Sequence, residues 1–487
     1  MKLKILTSNW FFYTLLFLGF FTFYAQVHPI VPFDTDDWIN MGIARPFYPS
    51  WSQWNPTKIF PECLESSVAT TASYIATLFK GDYLTTLIHA NSTVVSLFIL
   101  LYLFSIQRLL ESRYKISRIV CFCIILFYIL LHFLILRTSD TNNDYLLYAH
   151  DGNCYYHYVI PNMLCASLVL WLMRHDINEL KVSVFTGIFV LSLYLALCSN
   201  LYSTVILIAY IGSVLLLRLF ECKKNGNKWI VSYIKQNSVF IIIVALWLII
   251  QFIEAMGTRA NSYGYLYAPI KSLVKWTTIN FITIHYNLFF IALAIVILSV
   301  AKIYNFRHFN KKVLHIGKQQ IVLFGALFLS IVYLILLSSR VNPDYIKQGN
   351  VIFSYIFFFL LILVLCIGYL CQHIKVTKYI IPFLLFVVYF EINAKTNVFM
   401  DVQHEYGENA QTCLELDREF INQICAADAA GKDTVVINVP NYGSWDNWPL
   451  AFDCQKFIGL TLHKHGITKR VIHTIYNVAP AEKTSEE

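Results

Sequence analysis

Charge is what this sequence has least of. Asp, Glu, Lys and Arg make up only 14% of its 487 residues, whereas soluble domains run nearer a quarter. With 57% hydrophobic residues and a mean hydropathy of +0.57, an ordinary water-soluble globule is excluded. Several motifs are missing as well. The twelve cysteines include no CxxC pair, which leaves a zinc cluster or a redox dithiol unsupported. No P-loop and no GxGxxG occurs, so direct nucleotide binding is not indicated. No internal repeat is evident, and the one solvated tract is the tail Glu482–Glu487. The formal charge of +8 does not point to nucleic acid, because Lys and Arg sit in short blocks between apolar runs, where membrane topology places them.

What is present is a series of apolar runs. Crossing a hydrocarbon core takes about 20 apolar residues in a helix. The first run, Trp10 to Ala25 after MKLK, lacks a small-x-small cleavage site and reads as an uncleaved span. Others follow near Leu84 to Ile106, Ile119 to Leu136, Val159 to Met173, Val184 to Leu197, Leu201 to Phe220, Val239 to Phe252, Phe281 to Ala301, Ile321 to Ser338, Val351 to Leu370 and Tyr379 to Ile392. The polar triplet Cys198-Ser199-Asn200 splits what would otherwise be one overlong run. The count is about eleven. With the N-terminus cytoplasmic, the basic blocks (Arg108 to Arg118, Arg174 and Lys181, Lys223 to Lys235, Lys302 to Lys318, Lys375 and Lys378) all fall inside. An early miscount would invert every later loop and destroy that asymmetry.

The expected architecture is therefore an all-α polytopic protein of the cell membrane, residues 1–394, followed by a small extracytoplasmic α/β domain, residues 395–487. The tail changes character: an acidic helical stretch from Glu405 to Glu419, a β-rich run Thr434–Val439, a turn-rich aromatic segment NYGSWDNWP, another helical stretch, and a second β-rich run from Val471 to Val478. Cys63, Cys154, Cys413, Cys425 and Cys454 are the cysteines placed to form disulfides; their pairing is open, and free thiols throughout is an equal reading.

The first external loop, 27–82, begins HPIVPFDTDDWINMGIARPFY. A single carboxylate inside a bilayer costs roughly 2.5–3.5 kcal/mol, so Asp34, Asp36 and Asp37 must lie outside it or face a wet cavity. The loop's Trp38, Trp51 and Trp54 fit short helices folded back on the membrane surface. An adjacent carboxylate pair suits two jobs: one takes a proton from an attacking hydroxyl while the other orients it or a metal. The plainer reading is a helix N-cap, for which Asp34-Thr35-Asp36 is a fair signature.

One span, an Asp-Asp pair just beyond it, a long first external loop, about ten further spans and an extracytoplasmic tail together resemble the GT-C superfamily of integral membrane glycosyltransferases. The stretch NWPLAFDCQKFIGLTLHKHGI is most similar to bacterial surface-polysaccharide enzymes of that superfamily, and no WWDYG-like signature of an oligosaccharyltransferase occurs. The resemblance implies sugar transfer from a polyprenyl-phosphate donor to a glycan, lipid or protein acceptor. It implies a catalytic role for Asp36 and Asp37, with Asp34 as a weaker neighbour and at most a divalent cation, Mg or Mn, as cofactor.

A lipid-phosphate leaving group calls for cations, and Arg45, Arg259, Lys271, Lys275 and Arg340 fall on the same side, although a headgroup contact is the plainer role for each. Arg259 and Arg340 are the better placed, just past helix ends. The second external loop crowds His150, Asp151, Tyr155, Tyr156 and His157 before a span. Carboxylates and aromatic faces suit a sugar; interfacial packing is the plainer reading, and the His spacing is poor for a metal. A transporter or lipid-linked-saccharide flippase shares the spans, but here the mid-span positions are nearly uncharged. Polymerases and ligases of the O-antigen type rely on a large late loop, and the late loops here are short.

Overall fold

Runs without charge can satisfy their backbone polar groups in an apolar solvent only as helices, and 77% of the described residues are helical. The structure, a computed structural model, describes residues 8–43, 45–46, 55–135, 145–149, 151–222, 229–256, 270–271, 273–275, 291–300, 311–375, 379 and 409–478. Helix α1, Asn9–Thr22, is capped by Ser8, whose hydroxyl accepts from Phe11 N, and runs on through a π-helical turn at Phe23–Val27. A short helix, α2, Thr35–Gly42, follows, then α3, Ile59–Phe79, α4, Tyr83–Tyr114, and α5, Arg118–Leu134. Lys80 and Lys115 close α3 and α4 in left-handed conformation. A helical turn at Gly152–Cys154 and a π-helical turn at Tyr155–Val159 lead into α6, Ile160–Leu172. Next come α7, Val184–Leu197, α8, Leu201–Cys222, α9, Trp229–Ala255, α10, Lys311–Arg340, and α11, Phe353–His373.

Among the described residues six helices are long and apolar enough to cross a membrane, and Arg118–Phe133, Val184–Leu197 and Ile291–Val300 are shorter apolar helices. Burial tells their places apart. α11 is apolar on all sides and almost wholly buried from Phe353 to Leu370, as a central helix must be. α9 instead turns Leu248, Ile249 and Phe252 outward, a surface that only an apolar solvent or partner would cover. The break expected at Cys198-Ser199-Asn200 is present: α7 ends at Leu197, and Asn200 Oδ1 accepts from Tyr202 N (2.9 Å) to start α8. The run expected near Tyr379 to Ile392 lies outside the described residues apart from Tyr379.

The C-terminal segment has the elements that its sequence pattern foretold. Helix α12, Ala410–Ala429, buries Ala410, Cys413, Asp417, Phe420, Ile424 and Ala427, one stripe at helical spacing. Strands β1, Thr434–Val439, and β2, His473–Val478, pair in parallel, from Thr434 opposite His473 to Val439 opposite Val478. Parallel strands need a crossover, and α13, Lys456–Lys464, lies within it. Phe420, Ile424, Ile437, Ile458 and Leu462 share one apolar core with Phe33, Trp38 and Met41 of the first loop and with Leu84 and Leu87 of α4. Cys63, Cys154 and Cys425 are free thiols and Cys413 is buried; the side chain of Cys454 lies outside what the structure describes.

Where α8 crosses α10, the backbones approach closely. A Cβ on Gly325 would sit 2.2 Å from Ser213 Oγ, which itself donates to Val322 O at 2.7 Å. Small residues at such crossings let helices pack without a solvent-driven force. Gly325→Val should therefore destabilise the protein by about 1–3 kcal/mol, measured as a lower midpoint of thermal unfolding in detergent. An unchanged midpoint would mean that this crossing does not hold the bundle.

Candidate functional site

The N-terminus of α2 is built around two buried carboxylates. Asp34 is the N-cap, its Oδ1 accepting from Asp36 N at 2.7 Å. Asp37 reaches back to complete a capping box, its Oδ2 accepting from Phe33 N (2.9 Å) and Asp34 N (3.3 Å). Its other oxygen accepts from Asn153 N at 2.6 Å, so one carboxylate ties the loop after α1 to the loop after α5. The second loop comes this close because residue 152 is glycine: a Cβ there would sit 3.2 Å from Asp37 Oδ1. Asn40 Nδ2 donates to Asn153 Oδ1 (2.8 Å) and completes the contact.

Consecutive helical residues point about 100° apart. With Asp37 turned inward, Asp36 faces a cavity of about 1050 Å³. Asp36, Asn40 and Arg45 line it from the first loop, and Asp151, Asn153 and His157 from the second. Lys58 and Glu62 line it at the start of α3, Glu254 at the end of α9, Arg340 at the end of α10, and Trp448 from the C-terminal segment. A second, apolar cavity of about 380 Å³ lies between α8, α9 and α10, and Tyr333 lines both.

The expected site residues separate accordingly. Asp36, Arg45, Asp151, His157 and Arg340 come together on the cavity wall. Asp34 and Asp37 do not line it; both are buried beneath it and hold α2 in shape. Lys271 is exposed and away from the cavity wall, and His150 and Arg259 lie outside the described residues. Arg45 is ion-paired with Glu62, which Lys58 also approaches at 3.1 Å. Arg340 is exposed in the last turn of its helix, where a cation also suits the helix dipole. Asp151 caps the Gly152–Cys154 turn, accepting from Cys154 N. Among the described residues no three His, Cys, Asp or Glu side chains converge closely enough to hold a metal ion by themselves.

Glu62, Glu65, Glu254, Asn153 and Trp448 were not singled out from the sequence. The first two had a signal: PECLES puts two carboxylates one helical turn apart in an apolar run, and both are 3% exposed. Burial pushes the Glu65 carboxyl well above the usual range, with Asp37 and Asp151 adding to it as like charges. Burial likewise raises Asp37 to about 8, assisted by Asp151 and opposed by its three backbone donors. Burial raises Asp151 to about 6 against its bond from Cys154 N. Asp34 is held well above the ordinary value by burial and by its acidic neighbours. The site thus gathers carboxylates at close quarters, and each one that ionises makes the next harder to ionise.

Compared with models of protein families, with curated proteins and with solved structures, the chain finds no match. Function therefore has to be argued from the chemistry of this cavity.

A carboxyl with a raised folded-state pKa contributes stability that is fully present below its ordinary value near 4 and is lost as pH rises through the folded value. For Asp151 and Asp37 the loss falls between about pH 4 and 8. Asn caps a helix as well as Asp does, so Asp151→Asn removes the charge and keeps the turn. The variant should melt about 2–4 °C higher than wild type at pH 8, with the difference vanishing near pH 4. Equal midpoints across that range would show that the acidic cluster carries no mutual repulsion.

Proposed function

We propose that the chain is an integral membrane glycosyltransferase that moves a sugar from a polyprenyl-phosphate carrier to an extracytoplasmic glycan, lipid or protein acceptor. The observation that carries this reading is the single cavity that has Asp36 on one wall and Arg340 on another. In this reading the acceptor hydroxyl gives its proton to Asp36 as its oxygen attacks the anomeric carbon. The bond from that carbon to the lipid phosphate breaks, inverting the configuration, and the phosphate leaves with the electron pair. Arg340 is placed to meet the charge that develops on it. Asp37, spent on three backbone N–H groups, acts as a positioning residue, while Asp151, Asn153 and His157 are placed for sugar hydroxyls. The apolar cavity, which shares Tyr333 with the site as a lining residue, suits a carrier with a hydrocarbon tail. No step needs a metal ion.

The same reading takes the chain to have about eleven spans, with the N-terminus cytoplasmic and residues 395–487 outside. The six candidate spans and the shorter apolar helices support it, as does the cavity, whose lining combines the loops after α1 and α5 with the ends of α9 and α10. A flippase needs groups that alternate between two faces, and the cavity's charged walls gather at one end of these helices.

The test is sugar transfer to native membranes from a labelled polyprenyl-phosphate sugar. Asp36→Asn should lose about 10²–10⁴-fold in turnover with an unchanged melting midpoint, and Arg340→Ala about 10²–10³-fold. Asp37→Asn should lower the midpoint, because an amide oxygen cannot serve three donors as a carboxylate does. Full activity in Asp36→Asn would overturn the assignment, as would a cytoplasmic location for residue 470 in a labelling experiment.

A further inference from the structure

The aromatic segment NYGSWDNWP is not used by the reaction above, yet it is built with care. Asn447, 2% exposed, takes a left-handed conformation (φ 60°), which Asn tolerates better than most residues. Its side chain accepts from Tyr442 N (3.0 Å) and donates to Pro440 O (3.1 Å), closing the loop on itself. Asp446 Oδ1 accepts from Trp448 N at 3.2 Å, and Phe452 N donates to Asp446 O at 3.1 Å. The loop is then latched to α2 beside the reactive carboxylate. Thr35 N and Thr35 Oγ1 both donate to Pro449 O (3.1 and 2.8 Å), and Thr35 Oγ1 accepts from Ala451 N (3.0 Å). Asp36 and Trp448 are each one residue from this latch, and both line the same cavity. Three residues before Trp448, Trp445 is 89% exposed.

We infer that Trp448 and Trp445 form a carbohydrate-binding platform for the acceptor, with Trp448 seating the sugar ring whose hydroxyl is presented to Asp36 and Trp445 stacking on the chain that trails into water. A pyranose offers an apolar C–H face to an aromatic ring and hydroxyls to polar groups at its edge, and Asn153 and Asp151 line the same cavity as Trp448. The acceptor rather than the carrier is the occupant, because Trp448 belongs to the C-terminal segment and not to the apolar helices, and a lipid carrier enters from among those helices. An indole left 89% exposed needs an aqueous partner with an apolar face, which a glycan chain is. The loop's rigidity matters because a platform ordered in advance saves the entropy of arranging it on binding.

The inference rests on the glycosyl-transfer reading, and the two can fail separately. The probe is the pool of oligosaccharides released by mild acid from the native cell envelope, titrated against the purified full-length protein by calorimetry. Wild type should bind it saturably. Trp448→Ala should bind about tenfold more weakly or worse, Trp448→Phe within about threefold of wild type, and Trp445→Ala about threefold more weakly, with the deficit confined to longer chains. In transfer, Trp448→Ala should raise the KM for acceptor and leave the KM for the lipid donor as it was. Trp445 is so exposed that its replacement cannot unfold the protein, so that variant tests the platform even if Trp448→Ala fails to fold. Saturable binding unchanged in both Trp variants, or absent from wild type, overturns the platform. Binding lost in the Trp variants while Asp36→Asn still transfers sugar leaves the platform standing and overturns the glycosyl-transfer reading.

Discussion

One carboxylate holds the site in register. Asp37 is 1% exposed and accepts three backbone N–H groups, two from the turn that starts α2 and one from Asn153 in the loop after α5. A buried carboxylate left without donors would be costly, so it fixes where both loops lie. Everything that faces the cavity follows from that. With Asp37 inward, the helical repeat sends Asp36 toward open space; with residue 153 docked, Asp151 and His157 are brought to the same wall. Removing the bond to Asn153 would free the loop that carries Asp151 and His157 from the one that carries Asp36.

The C-terminal segment adds a second constraint from the other side. Thr461 Oγ1 donates to Trp38 O (2.6 Å), Lys464 Nζ to Gly42 O (2.8 Å), and His465 bridges Met41 O and Tyr83 OH. The last carbonyls of an eight-residue helix have no partners within it, and here the tail supplies them. The Arg418–Asp82 pair, roughly half exposed on both sides, adds little to this; the shared apolar core around Phe33, Trp38, Phe420 and Ile424 does more. Asp417 sits within that core, where burial, with Asp37 as a like charge, holds its carboxyl well above the usual range. α2 is therefore clamped between a loop and a folded tail, which is how so short a helix keeps a fixed orientation.

The fold was the more legible half in the sequence. Length and lack of charge were enough to recognise α4, α8, α9, α10 and α11, because a run of some 20 apolar residues has one stable form in lipid. The Cys198-Ser199-Asn200 break and the β1–α13–β2 order also followed from local pattern. The site was legible only in part. The acidic pair stood out because three carboxylates beside an apolar run are costly wherever they are placed, but its division of labour did not. Asp34-Thr35-Asp36 reads as a cap and, less plainly, as a site; the cap reading holds for Asp34, while Asp36 faces the cavity. Glu254 gave no local signal, and Trp448 stood out only as part of the aromatic segment NYGSWDNWP; each gains its place at the cavity only when α9 and the tail close over the first loop.

By itself the sequence determined the solvent of the chain, the positions of its main helices, the elements of its tail and the neighbourhood of its acidic loop. All of these depend on free energies summed along contiguous residues. Only the tertiary structure decided that Asp37 points inward and Asp36 outward, that Arg340 and Trp448 border the cavity while Lys271 does not, and that the tail caps α2. Those outcomes depend on contacts between residues as far apart as Thr35 and Pro449, whose pairing no local pattern encodes.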